Sequence, residues 1–237
     1  MALSHNPRIV TDGLVLCLDA ANPKSYPGSG TTWKDLSGNG NNGTLVNGVG
    51  YNSSNGGSLS FDGVNDYVDL SSSTYNYTTQ NSILIAFKPS NVLNRWGEVF
   101  QKGSRFDFRM RFYNETGRFE FYYNLNSVSV GFVTPESLIN NQWYIAQMTI
   151  DCSTNLIARF YLNGLKRNET SINSGLSLRN GNSELRIGNI IGEIEEYNGI
   201  VSVVHMYEKF MNENEIQQNY NALKGRFNLW PTKTENI

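Results

Sequence analysis

Residues 105–112, Arg-Phe-Asp-Phe-Arg-Met-Arg-Phe, alternate charged and apolar side chains without a break. Successive side chains of an extended chain point to opposite faces, so Phe106, Phe108, Met110 and Phe112 share one face and Arg105, Asp107, Arg109 and Arg111 the other. A helix would scatter both sets around its circumference. After Asn114-Glu115-Thr116-Gly117 the pattern resumes, with Phe119, Phe121 and Tyr123 inward and Arg118, Glu120 and Tyr122 outward. Two such runs joined by a turn predict an antiparallel hairpin. The outward charged row reads as a solvated sheet face, with cross-strand pairs worth about 0.2–1 kcal/mol each.

Further strands are expected at 14–19, 58–62, 66–70, 82–88, 97–101, 127–133, 143–150, 156–163, 184–188 and 200–207, separated by clusters of Gly, Asn and Ser. The chain holds 32 Asn and 22 Gly, while only 17 % of its residues are charged, a turn-rich composition. Asn163-Gly164 looks like the turn of a second hairpin. No segment has the length or period of a crossover helix, so many short strands point to an antiparallel sandwich or barrel. One helix is predicted near the C-terminus: Asn212 caps it, Glu215 completes a capping box, Ile216, Tyr220 and Leu223 share a face, and Gly225 ends it. The organisation expected is a lead over 1–10, one domain over 11–227 and a tail over 228–237.

Lys and Arg number 19 against 21 Asp and Glu, a net charge of −2, which argues against a nucleic-acid partner. The longest apolar run, 83–87, is far short of the roughly 20 residues of a membrane span, so no membrane insertion is expected. The first residues lack the pattern of a secretory signal, from which cytoplasmic synthesis is expected. The acceptor patterns at Asn42, Asn52, Asn76, Asn114 and Asn168 then read as a by-product of Asn abundance. Cys17 and Cys152 are expected reduced and buried as small hydrophobes. His5 and His205 are too few for a zinc site of ordinary composition; His205 is expected inside a strand buried on both sides.

Residues 13–22, 33–45 and 57–68, followed by 143–150, 160–164, 184–188 and 200–207 with its short helix, resemble the laminin-G-like branch of the concanavalin A-like lectin/glucanase superfamily. The resemblance covers residues 8–227 and implies an all-β jelly-roll sandwich of two curved antiparallel sheets. The wording of the stretches at 9–16 and 217–227 is similar to stand-alone domains of tailed, especially marine, bacteriophages. That implies a virion structural protein, a capsid decoration or an appendage component, made in the host cytoplasm and located in the virion. Other virion proteins would be its partners, host-surface glycans a further one, and symmetric virion sites would suit a homo-oligomer. A tail-fibre adhesion module or a glycoside hydrolase are the alternatives, because this fold hosts lectins, hydrolases and structural modules.

Hydrolysis needs two carboxylates flanking a glycosidic bond, and Glu193 and Glu195 would share a strand face ~6.6 Å apart. Related glucanases carry Glu-x-Asp-x-Glu; here Glu195 takes the middle place and Tyr197 the last, so the third acid is missing and no catalytic residue is expected. Calcium is the one cofactor the chemistry admits, through Asp35, Asn39, Asp62 and Asp66 in expected turns, although these residue types also build turns by themselves. Ile200 and Val201 stand where several relatives place an acidic residue, which counts against a metal. Sugar binding would use aromatic planes beside polar groups, and Trp33, Trp96 and Tyr113 lie in or next to expected loops.

Overall fold

The structure is a computed structural model and describes residues 8–70, 75, 79–93, 96–103, 107–126, 128–172, 176–178, 185–189 and 195–230. Its strands are β1 (Leu14–Asp19), β2 (Thr32–Trp33), β3 (Gly43–Val46), β4 (Gly50–Asn52), β5 (Ser58–Asp62), β6 (Tyr67–Asp69), β7 (Gln80–Pro89), β8 (Glu98–Lys102), β9 (Phe108–Tyr113), β10 (Arg118–Asn124), β11 (Ser129–Val133), β12 (Tyr144–Asp151), β13 (Leu156–Leu162), β14 (Leu165–Ile172), β15 (Leu185–Ile187) and β16 (Asn198–Tyr207). They form two eight-stranded antiparallel sheets. The first has the order β14-β13-β12-β7-β16-β5-β4, with β1 also on β16; the second has the order β11-β10-β9-β8-β15-β6-β3-β2. This is the jelly-roll sandwich expected. Neighbours such as β7 and β16 lie far apart in the chain, which is what winds the two sheets into one core.

The inward faces meet in an aromatic core. Phe87 of the first sheet stacks on Phe119 of the second with ring centroids 4.7 Å apart, and Phe112 meets Phe119 edge-on at 5.5 Å. The run at 83–87 is continuous because both faces of β7 are covered. Ile83, Ile85 and Phe87 point into the inter-sheet core, while Leu84 and Ala86 face a second cluster with Trp143, Ile145, Val203, Tyr220, Leu223 and Phe227.

That second cluster lies under α1 (Glu213–Leu223), which covers the outward face of the first sheet. The capping box is present: Asn212 Oδ1 accepts from the Glu215 amide at 3.1 Å, and Glu215 Oε2 accepts from the Asn212 amide at 3.0 Å. Gly225 does not end the helix. The chain continues as a 3₁₀ turn over Lys224–Phe227, and Asn228 closes it with φ 56°. Val10 is buried, and its amide donates to the buried Asn219 of α1 at 2.8 Å. His5 and the tail 231–237 lie outside the described residues. No helix among the described residues is long and apolar enough to cross a membrane.

The candidate binding face on the second sheet

The alternation that defines β9 and β10 also builds their outward face. Their register sets Arg111 opposite Glu120 and Arg109 opposite Tyr122. β8 then sets Glu98 opposite Arg111 and Gln101 opposite Arg109, but only because the register shifts between Glu98 and Phe100. Val99 is the extra residue. Without it Glu98 would share the face of Phe100 and point into the core; with it, Val99 and Phe100 are both buried and Glu98 returns to the outward side.

The resulting rows are tied by ion pairs. Arg109 donates from Nε to Glu98 at 2.9 Å and from Nη2 to Glu195 at 3.0 Å. Arg111 donates from Nε to Glu120 at 2.6 Å and lies 3.8 Å from Glu195 through Nη1. The cross-strand pairs expected are therefore there, but the solvated face is not: Arg109 is 5 % exposed, Glu120 7 % and Glu98 0 %. Glu195, held where the Glu98 amide donates to its carbonyl oxygen at 2.9 Å, joins this layer from 86 residues away. Arg105 and Phe106 lie outside the described residues, and Asp107 precedes β9, buried with Lys102 Nζ at 3.5 Å.

Aromatic rings edge the charged layer. Trp96 lies over Arg111, whose guanidinium carbon is 3.9 Å from the ring centroid, and meets Tyr113 edge-on at 5.3 Å and 89°. Trp96 has φ 56°, a left-handed conformation that is costly for a bulky side chain and marks positions held by their surroundings. Along the same face Arg186, level with Gln101 and Asp69, stacks on Tyr67 at 4.3 Å. Two of the three expected sugar-binding aromatics are thus brought together. Trp33 is corrected: it belongs to β2, its side chain is wholly within the inter-sheet core, and no ligand can stack on it in the folded protein.

Burial dominates the electrostatics here. It pushes the Glu98 carboxyl up to about 8 against the pull of Arg109 and Arg111, with Glu195 adding to the rise. One Glu98 oxygen takes the Arg109 bond, and Oε2 has no partner. His205 is buried in β16, where the apolar setting lowers its pKa to about 4, in keeping with its expected structural place. Cys17 and Cys152 are free and buried, and burial lifts both thiols, to about 12 and about 11, so both stay protonated.

The calcium candidates separate into two turns. Asp35 accepts from the amides of Cys17, Ser37 and Asn41 and from the Ser37 hydroxyl, and Asn39 Nδ2 donates to Ser37 Oγ at 3.0 Å. Asp62 accepts from the Val64 amide at 2.8 Å and Asp66 from the Asp62 amide at 3.2 Å, leaving one buried Asp66 oxygen unpaired. These are the bonds of turn-forming side chains, and no group of three or more His, Cys, Asp or Glu suited to a metal occurs among the described residues. Glu193 lies outside the described residues.

Glu98, Gln101, Tyr67 and Arg186 are members of this face that the pattern of the chain does not reveal. β8 offered the only signal, a strand whose alternation breaks at Val99.

A family model of the laminin G type, described as the concanavalin A-like lectin/glucanases superfamily, matches residues 61–217, and the chain belongs to that family. No curated protein matches the sequence. Among solved structures, the binding domain of Paraclostridial Mosquitocidal Protein 1 is similar at TM-score 0.70 and 16 % identity, over 90 % of this chain and 52 % of that one. Domain 4 of AbnA, an extracellular arabinanase from Geobacillus stearothermophilus solved with arabinotriose, is similar at 0.68 and 16 %, over 88 % and 98 %. The ligand binding domain of botulinum neurotoxin serotype D, solved with N-acetylneuraminic acid, follows at 0.68 and 15 %, over 89 % and 51 %. The chain spans about half the length of the two toxin binding domains. At these identities the likeness is one of fold.

Proposed function

We propose that this chain is a glycan-binding module without hydrolytic activity, carried on a bacteriophage particle as capsid decoration or as part of a tail appendage. The observation that carries the binding reading is Trp96, held in a left-handed conformation over Arg111 and against Tyr113. An aromatic plane beside fixed polar groups is the combination that recognises a sugar ring. Lectin-like relatives in fold, two of them solved with sugars, support the same reading. A glycan array that stays dark with the purified protein would refute it.

A glycosidic acid must touch the leaving oxygen, and the Glu98 side chain is wholly covered while Glu195 is engaged by two guanidiniums. The competing hydrolase reading draws on the raised Glu98 carboxyl beside Glu195, both bonded to Arg109. Release of reducing sugar from capsule or cell-wall polysaccharides, lost in Glu98→Gln, would favour it; no release is expected. The virion reading rests on the phage-like wording of the sequence. Gold-labelled antibody on particles should mark the head in a regular array or the tail tip, and unlabelled particles would contradict it.

A further inference from the structure

The sheet on the opposite side of the sandwich carries a cleft of its own, about 500 Å³, between the β13–β14 turn and the end of α1. Its floor is fixed. Asn163 and Gly164 make the turn with φ 51° and 76°, and a Cβ at Gly164 would stand 2.6 Å from the Tyr220 ring, so the turn packs directly on the helix. The Tyr220 hydroxyl donates to the Leu229 carbonyl at 2.6 Å and Gln217 donates to the Gly164 carbonyl, which joins helix, turn and the following segment into one wall.

Leu165 and Leu229 add apolar surface to the lining, and three amides and two cations supply its polar groups. The side-chain amides of Gln142, Asn221 and Asn228 make no hydrogen bond among the described residues. Trp230 is 62 % exposed, a large share for an indole, and Lys224 Nζ lies 5.3 Å from its ring centroid. Lys224 has no carboxylate partner among the described residues, and no Asp or Glu lines the cleft. Arg167, the second cation, keeps a guanidinium nitrogen 3.4 Å from Glu136 outside the lining. The carbonyls of Lys224 and Gly225 at the helix end are met by the Leu229 and Asn228 amides, which limits their claim on the lysine.

An exposed ring, three idle amides and two cations in a concave site describe one kind of ligand. We infer that this cleft is a second saccharide site, separate from the Trp96 face, and that it takes a glycan bearing a carboxylate or sulfate. The ring packs on the sugar face, the amides bond hydroxyls, and Lys224 meets the acidic group. A neutral sugar would leave Lys224 unused.

The test is a titration of the ¹⁵N-labelled full chain with three acidic probes, galacturonic acid trisaccharide, 3′-sialyllactose and a chondroitin sulfate disaccharide, and with maltotriose as the neutral comparison. At least one acidic probe should shift the amides of Asn221, Lys224, Asn228 and Trp230, with maltotriose at least about tenfold weaker. Trp230→Ala should abolish those shifts and Lys224→Gln should weaken them about tenfold, an effect that raised salt imitates. Both side chains project from the surface, so an unchanged spectrum elsewhere shows the variants to be folded. No shift in these amides with any acidic probe up to about 10 mM would overturn the inference, as would equal affinity for maltotriose or full binding by both variants. Shifts confined to Trp96 and Tyr113 would also overturn it while leaving the first site standing.

Discussion

The outward faces of the two sheets are covered in opposite ways. On the first sheet, Leu84, Ala86, Ile145 and Val203 are buried under α1 and the 3₁₀ turn, an apolar seam that stabilises by removing surface from water, and the polar groups buried beside it, Ser82, Gln147 and Thr149, are uncharged. On the second, an equally buried layer consists of Glu98, Gln101, Arg109 and Glu120, tied by ion pairs and crossed by guanidinium–aromatic stacks. Buried ion pairs gain little net stability over well-packed apolar groups, because desolvation offsets attraction. The apolar seam under α1 is therefore explained by folding alone. The second carries a costly polar design that folding does not require, and its rim holds a strained tryptophan. That difference is what marks the charged layer of the second face as built for recognition.

Four substitutions probe this contrast. Arg109→Met, which leaves an oxygen of the protonated Glu98 and one of Glu195 without the donor they share, should cost about 3–5 kcal/mol in urea unfolding at pH 7.5. Phe227→Ala, which empties the contact with the Trp143 ring at 4.5 Å, should cost about 3 kcal/mol and by the same amount at every pH between 6 and 8.

Folded Glu98 keeps its proton up to about 8, whereas the unfolded chain gives it up in the ordinary carboxylate range, so stability falls as pH rises between those limits. His205 acts in the other direction: with its folded pKa lowered to about 4, stability is lost as pH falls below the ordinary imidazole value. The two effects oppose each other in mild acid. Above about pH 6.5 the histidine effect fades and the Glu98 effect dominates. Between there and pH 8 the protein should lose about 1 kcal/mol, and Glu98→Gln should remove that loss in thermal melts. A variant as pH-sensitive as the parent would mean that Glu98 is ionised in the fold. Smallest of the four, Asn212→Ala should cost about 1 kcal/mol through loss of the helix cap, with no effect on the second sheet.

The two faces also differed in how well they could be read beforehand. β1 and β5 fall where alternation and turn residues place them, and the capping box at Asn212 and Glu215 is present as expected. Strands of two to four residues, β2, β3 and β4, offer too few steps for a period and escaped notice. Trp33 reads as a loop residue for that reason, since a lone tryptophan between Thr and Lys shows no alternation until β2 pairs with β3. On the second face, alternation identifies Arg109 and Arg111 as outward but cannot say that outward is buried. That depends on Glu195, brought across 86 residues of chain, and on one extra residue at Val99 that turns Glu98 around.

That Trp96 and its supports form a glycan-binding surface is tested by setting the parent protein and Trp96→Ala side by side on one glycan array, with urea unfolding of both. The parent should bind a defined set of glycans, the variant should lose that signal, and the unfolding free energies should differ by less than about 1 kcal/mol, as expected for a half-buried rim residue. Equal binding by the two proteins, or none by the parent, would contradict it.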